Sequence, residues 1–223
     1  MKTCVIVPAH NEVSTIGAVV EKLTARGLSV VVIDDGSNDG SGEIARRNGA
    51  FVIRHQLKMG KGQALRHGFE YALRQDFDNV VTMDADGQHD VGDIEQFLAK
   101  AAENPNCVVT GTRLDNPQGM PWLRLMTNRI MSGLISLACR QKIPDTQCGY
   151  RLISCAILRQ ISISSSDFEI ETEVLIKSAK KGFRIHSVPI KTIYRNEASK
   201  INPILDTIRF IVYFIKEMCN TRS

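Results

Sequence analysis

The sequence predicts an α/β fold built on a mostly parallel central sheet with helices flanking both faces. Two observations carry that expectation. A short β-branched run, a polar turn and a helical pattern recur through the first half of the 223 residues, which is the sequence form of strands joined by helical crossovers. One of those runs, Val30-Val31-Val32-Ile33, is apolar without alternation, as a strand covered on both faces requires.

The elements follow in order. Cys4-Val5-Ile6-Val7 is the first strand and leads through Pro8-Ala9-His10-Asn11-Glu12 to an amphipathic helix with Ile16, Val19, Val20 and Leu23 at core spacing. Ser14 is its expected N-cap. Val30 to Ile33 is the second strand and ends in Asp34-Asp35-Gly36-Ser37-Asn38-Asp39-Gly40. Phe51-Val52-Ile53 is the third, after which Gly60-Lys61-Gly62 opens a helix through Ala64, Leu65, Phe69 and Ala72. Val80-Val81-Thr82-Met83 carries a fourth strand straight into Asp84-Ala85-Asp86-Gly87-Gln88-His89.

Beyond Pro105 come a strand at 108–110, a Pro/Gly-rich loop to Pro121 and a strongly apolar helix at 123–139. A second loop, 142–149, precedes Tyr150-Arg151-Leu152-Ile153; a helix near 169–181 and a strand at 185–193 follow. Asn202-Pro203 starts a last amphipathic helix to about residue 218, with proline at the first helical position. No internal repeat or linker divides the chain, so 1–202 reads as one domain and 203–223 as a C-terminal amphipathic helix and tail.

Composition narrows the function classes. With 43% hydrophobic and 23% charged residues, disorder, collagen and disulfide scaffolds are excluded. No apolar run approaches the roughly 18 to 20 residues that span a bilayer, and the N-terminus lacks the h-region of an export signal. The six cysteines show neither CxxC pairs nor zinc spacing, which suits packed, reduced thiols in a cytosolic setting. Between 177 and 200, Lys177, Lys180, Lys181, Arg184, Lys191, Arg195 and Lys200 face one acid, Glu197, so an anionic ligand is expected there. Aromatic residues are 6% of the chain and none interleaves with these bases, so the anion expected is a phosphate compound or lipid head group and not nucleic acid.

The polar turns carry the chemistry. Asp84-Ala85-Asp86 at a strand end can present two carboxylates to one hard cation, Mg²⁺ or Mn²⁺, or can simply shape a turn. Asp34-Asp35-Gly36-Ser37 suits either an Asx turn or recognition of a nucleotide by Asp35. Gly60-Lys61-Gly62 lacks the spacing and hydroxyl of a P-loop, yet a lysine at a helix start can approach phosphate. All these turns fall at the carboxyl ends of strands, where open parallel sheets bind ligands. His55, His67 and His186 read as isolated structural histidines.

Together, Pro8-Ala9-His10-Asn11-Glu12, Asp34-Asp35-Gly36-Ser37, Gly60-Lys61-Gly62, Asp84-Ala85-Asp86-Gly87-Gln88-His89 and Asp145-Thr146-Gln147-Cys148-Gly149-Tyr150-Arg151 resemble the inverting family 2 glycosyltransferases of the GT-A fold. The likeness is strongest to the dolichyl-phosphate mannose and glucose synthase branch and runs in order along nearly the whole chain. The resemblance implies transfer of one sugar from a nucleotide diphosphate sugar, GDP-mannose or a UDP-sugar, to a polyprenyl phosphate, with Mg²⁺ or Mn²⁺. It implies Pro8, His10 and Glu12 around the base and ribose, with Asp35, preceded by Ile33, on the base edge. It further implies Lys61, Asp84, Ala85 and Asp86 at the donor, with Asp84, Asp86 and Gln88 as the metal site and Asp86 central to catalysis.

By the same resemblance, Arg113 and Arg129 grip the acceptor phosphate, and Lys177, Arg195 and Lys200 meet the donor diphosphate. A phosphate acceptor needs little general-base help, whereas a sugar hydroxyl would require a carboxylate, for which Asp145 and Glu171 are the candidates. A saccharide acceptor and a non-catalytic nucleotide-sugar-binding subunit are the alternative readings. The stretches 123–139 and 204–214 either pack on the sheet or lie on a membrane, so peripheral attachment or a membrane-embedded partner subunit is expected at the cytoplasmic face.

Overall fold

The computed structural model describes residues 1–114, 121–165 and 169–191. Its strands are β1 (Thr3–Ala9), β2 (Ser29–Asp34), β3 (Phe51–Arg54), β4 (Asn79–Thr82), β5 (Val108–Thr112), β6 (Arg151–Ser154) and β7 (Ile185–Pro189). The helices between them are α1 (Ile16–Thr24), α2 (Ser41–Arg47), α3 (Lys61–Arg74), α4 (Ile94–Glu103), α5 (Trp122–Cys139), α6 (Cys155–Leu158) and α7 (Glu169–Lys180). The seven strands form one sheet in the order β3-β2-β1-β4-β6-β5-β7. All neighbours pair parallel except β6, which runs antiparallel to both β4 and β5.

Alternate residues of β1 serve the two faces. Cys4 and Ile6 join one apolar layer with residues of α3, α5 and α7, whereas Val5 and Val7 join a second with residues of α1 and α4. That double cover is why the strand sequences carry no polar alternation. The anticipated face of α1, Ile16, Val19, Val20 and Leu23, is the buried one.

Chain order reverses between β1 and β4, the place where open α/β sheets leave a crevice beyond their carboxyl ends. Ala9 pairs with Asp34, and Ile6 with Thr82, so the turns after β1, β2 and β4 meet at one edge. The antiparallel β6 adds a fourth chain segment there: Arg151, its first residue, pairs with Thr82, and the Thr82 hydroxyl donates to the Gly149 carbonyl at 2.7 Å.

Some expectations change. Ser14 does not cap α1; Thr15 holds that position, and its hydroxyl donates back to the Glu12 carbonyl (3.3 Å) instead of accepting a helix amide. The Glu12 carbonyl itself takes the Thr15 and Ile16 amides, so backbone curvature starts this helix. β7 ends at Pro189, short of residue 193. α2, seven residues long, is too short to show a periodic face. The last helix expected from residue 203 lies outside the described residues.

Cys4, Cys107, Cys139, Cys148 and Cys155 are free and buried. Among the described residues no helix is long and apolar enough to cross a membrane. α5 is apolar on two sides: Met131, Ile135 and Cys139 face inward, while Leu123, Met126, Ile130, Leu134 and Leu137 are exposed.

Candidate active site

At this sheet edge an ammonium lies between two acids. Lys61, the first residue of α3, places Nζ 2.7 Å from Asp84 Oδ1 and 2.9 Å from Glu171 Oε1. Asp84 stands just beyond β4, and Glu171 in the first turn of α7. Against the burial that opposes its charge, the Lys61 ammonium and then His89 hold the Asp84 carboxyl far below the carboxylate range. Burial likewise opposes the charge of Lys61, but Asp84 and Glu171 keep it well above its ordinary value.

Asp86 behaves oppositely. Its Oδ1 accepts the Gln88 amide at 2.9 Å, yet burial, and after it the Asp84 charge, push its carboxyl up. Glu12 adds to that push from the loop after β1. Such a carboxylate gains from any added cation. Ala85 turns inward to the core and spaces the two aspartates.

Gly149 makes this assembly fit. A Cβ there would lie 2.7 Å from Asp84 Oδ2, 3.1 Å from Lys61 Nζ and 3.2 Å from Glu171 Oε1. Only bare backbone passes so close. Arg151, buried, ties down the same loop: Nε donates to the Cys148 carbonyl (2.8 Å), Nη2 to Thr146 (2.7 Å) and Nη1 to the carbonyl of Glu171. The motif showed Arg151 in sequence, but its task of joining loop 145–149 to α7 needed the fold.

The loops after β1 and β2 are sewn together. His10 Nδ1 donates to the Asp35 carbonyl (2.8 Å), the Asn11 amide to Ser37 Oγ (3.0 Å) and the Glu12 amide to Ser41 Oγ (2.8 Å). Pro8 pairs in register with Ile33. Ile33 itself is a core residue, packed with Ile6 and Leu65, so its side chain sets the position of the loop and is shielded from ligand. Gly36 turns with φ 71°, where a Cβ would strike the Leu57 and Lys58 backbone at 2.8 Å.

Asp35 is buried and fully engaged. Oδ1 accepts the Met59 amide (2.7 Å) and His55 Nδ1 (2.8 Å), and Oδ2 accepts the Gly60 amide (2.8 Å). Burial opposes its charge, but these donors hold the carboxyl below the usual range. Asp35 thereby anchors the turn that delivers Lys61. His55 and His67 are not isolated, as their sequence setting suggested. His55 Nε2 lies 2.8 Å from His67 Nδ1, and His67 Nε2 lies 2.9 Å from the Gln63 amide nitrogen. With the Gln63 amide donating to His67 Nε2, the His67 Nδ1–H points to His55 Nε2 and the His55 Nδ1–H to Asp35. The pair comes from the end of β3 and one face of α3, so no spacing rule pointed to it.

Arg113 and Asp145 also change meaning. Nε and Nη2 of Arg113, just past β5, reach Asp145 Oδ2 and Oδ1 at 2.8 and 3.1 Å, and the Gln147 amide adds a bond to Oδ1. Asp145 is 0% exposed, a counter-ion for Arg113 and closed to an acceptor hydroxyl. The other base candidate, Glu171, is bound to Lys61. Arg129 is exposed on α5.

Lys177 is not brought to the cluster. Its Nζ is 2.6 Å from Glu173 Oε1 and 2.5 Å from the Ser162 carbonyl. Glu173 and Glu171, two positions apart on a helix, point about 200° apart. Arg195 and Lys200 lie outside the described residues.

Asp84 and Asp86 are hard oxygen donors suited to Mg²⁺ or Mn²⁺, and Gln88 stands beside them. Among the described residues, no three acidic, thiol or imidazole groups converge on a ready-made metal site. Two carboxylates suffice where a phosphate ligand completes the shell.

Against known proteins, the glycosyl transferase family 2 model matches residues 4–162. The chain belongs to glycosyl transferase family 2. Among its relatives are a UDP-N-acetylglucosamine–dolichyl-phosphate N-acetylglucosaminyltransferase of Methanococcus voltae, 30% identical over 85% of this chain and 84% of that one, and a dolichyl-phosphate hexose transferase of Haloferax volcanii, 31% identical over 89% and 86%. The crystal structure of glucosyl-3-phosphoglycerate synthase from Mycobacterium tuberculosis with Mn²⁺, uridine diphosphate and phosphoglyceric acid superposes with a TM-score of 0.73. It covers 98% of this chain and 78% of its own at 20% identity, and so shares the fold. In this family 2 glycosyltransferase, a GT-A sheet thus brings together four of the sequence-expected motifs, those at residues 8–12, 34–37, 60–62 and 84–89, with loop 145–151 as a fifth wall.

Proposed function

We propose that this glycosyltransferase moves one sugar from a nucleoside diphosphate sugar to a polyprenyl phosphate, with inversion and a divalent cation. The observation that carries the reading is the Lys61–Asp84–Glu171 cluster beside the charge-strained Asp86, at the sheet edge where a diphosphate would lie. The printed activities of relatives, on dolichyl phosphates, supply the acceptor class.

In this reading an acceptor phosphate oxygen forms the new bond to the anomeric carbon as the bond to the donor diphosphate breaks, its electron pair leaving with the nucleoside diphosphate. Attack from the opposite face gives inversion. Asp84, Asp86 and Gln88 would hold the cation, Mg²⁺ or Mn²⁺, whose charge would neutralise the leaving group. Pro8, His10 and Glu12 wall the nucleoside side, and Asp35 holds that wall and the Lys61 corner in place. Lys61 meets the diphosphate, joined by Arg195 and Lys200 from the basic stretch. Arg113 and Arg129 receive the acceptor phosphate.

A phosphate acceptor is already ionised and needs no base. That agrees with the two candidate bases, Asp145 and Glu171, being tied to Arg113 and Lys61. Residues 1–202 act as the transferase domain. The exposed apolar residues of α5, with the amphipathic stretch 203–218, attach it peripherally to the membrane that holds the acceptor.

The test is incubation of the purified chain with GDP- and UDP-sugars, Mn²⁺ and a polyprenyl phosphate in detergent, followed by mass spectrometry and NMR of the anomeric proton. A sugar-phosphoprenol of inverted configuration is expected with one donor. Glycosylation of saccharide hydroxyls alone, with the lipid phosphate untouched, would overturn the acceptor assignment.

A further inference from the structure

Lys61 sits on the first carboxylate of the pair assigned to the cation. Its ammonium bridges Asp84 Oδ1 and Glu171 Oε1, and the three side chains are 21, 29 and 14% exposed. At this depth like charges on one oxygen exclude each other far more strongly than in bulk water. The two aspartates are therefore unequally compensated: Asp84 has Lys61 and, at 3.5 Å, His89 Nε2, while Asp86 has the Gln88 amide on Oδ1. A Cβ at position 149 would meet Asp84 Oδ2, Lys61 Nζ and Glu171 Oε1 together, so the bare Gly149 backbone lies alongside the cluster.

We infer that Lys61 is a built-in competitor of the divalent cation, holding Asp84 until a donor diphosphate draws its ammonium away, so that the cation binds conditionally on the nucleotide. The inference rests on the donor site proposed above. Glu171 moderates the competition by sharing the ammonium. It already holds half of the ammonium, so Lys61 can release Asp84 without losing every anion. An arriving diphosphate supplies both a new anion for Lys61 and oxygens for the cation, whose shell two carboxylates alone leave incomplete. Reciprocity then requires the cation to tighten nucleotide binding by the same factor.

The test is a Mn²⁺ titration of the full chain, read by EPR of the free ion, with and without GDP or UDP and with no sugar donor present. The readout is the ratio of the two Mn²⁺ dissociation constants, in which long-range charge effects cancel. For the native chain, binding about tenfold or more tighter with one nucleotide is expected, inside the usual range of coupling between sites. Lys61→Met should bind Mn²⁺ better alone and shrink the ratio by about fivefold. Glu171→Gln, which leaves the ammonium to Asp84, should enlarge it. Mn²⁺ binding with nucleotide whose ratio is unmoved by either substitution overturns the inference and leaves the donor site standing. No Mn²⁺ binding to the native chain with any nucleotide overturns both. Should Lys61→Met fail to fold, Glu171→Gln decides: a larger ratio supports the competitor, an unchanged or smaller one overturns it.

Discussion

Arg113 and Asp145 form a buried two-pronged ion pair, Nε to Oδ2 at 2.8 Å and Nη2 to Oδ1 at 3.1 Å, that joins the end of β5 to the loop before β6. The pair fixes where the Arg113 guanidinium stands. Asp145→Asn keeps the shape but leaves the guanidinium buried without its counter-charge, and breaking such pairs costs about 3–5 kcal/mol. Urea denaturation should show a loss of that order. A stability change under about 1 kcal/mol would mean that the pair is solvated in solution.

Removing Asp86 should separate binding from folding. Its carboxyl is destabilised by burial and by Asp84, so Asp86→Ala relieves strain and is expected to keep or raise the melting temperature of the ligand-free chain. The same substitution should abolish the Mn²⁺-dependent stabilisation by nucleotide that mass action gives the native chain. Turnover should fall by about 10²- to 10³-fold, as when a charge-stabilising group is lost. Retention of the metal-dependent shift would remove Asp86 from the cation site.

Gly149→Ala tests the tight wall. The new methyl meets the far ends of Asp84, Lys61 and Glu171, which can shift, so a stability cost of about 1–3 kcal/mol is the upper range for such overpacking. The site should suffer more than the fold. Nucleotide affinity in the presence of Mn²⁺ is expected to drop at least about tenfold, a change calorimetry reads directly, with the far-ultraviolet circular dichroism unchanged.

Acid should loosen the anchors made by Asp35 and Glu173. Asp35 and Glu173 are buried carboxylates; burial opposes their charge, but amide and side-chain donors hold both below the ordinary range. A carboxyl whose folded value is depressed adds stability that is complete above its unfolded value, near 4, and is lost as pH falls through the folded one. Melting temperatures should therefore decline from about pH 4 downward. In Asp35→Asn that decline should be shallower, from a lower plateau. An equally steep acid limb in the variant would show that Asp35 is not ionised in the folded chain.

Much of the architecture was legible in the sequence because it depends on local pattern. Apolar runs at 4–7, 30–33 and 80–83 became β1, β2 and β4, and the helix faces at Ile16, Val19, Val20, Leu23 and at Ala64, Leu65, Phe69, Ala72 are buried as their spacing requires. The carboxylate turns fell at the strand ends for the same reason. What misled was context. Ser14 has the right chemistry for a cap but stands one residue too early, and Lys177 has the right charge on the wrong side of α7.

Residue types and their order thus determined by themselves that this chain is a family 2 glycosyltransferase with a doubly covered sheet and its acidic turns on one edge. Only the tertiary structure decided which charges face each other. Strand order, and the reversal of β6 in particular, brings Arg151 beside Thr82 and Gly149 against Asp84, and the packing of α7 brings Glu171 to Lys61. Periodicity and turn chemistry act over a few residues, whereas the partner of a buried charge is set by how distant segments pack; hence Asp145 is a counter-ion, His55 and His67 are a chain, and Lys61 is a cation already in place.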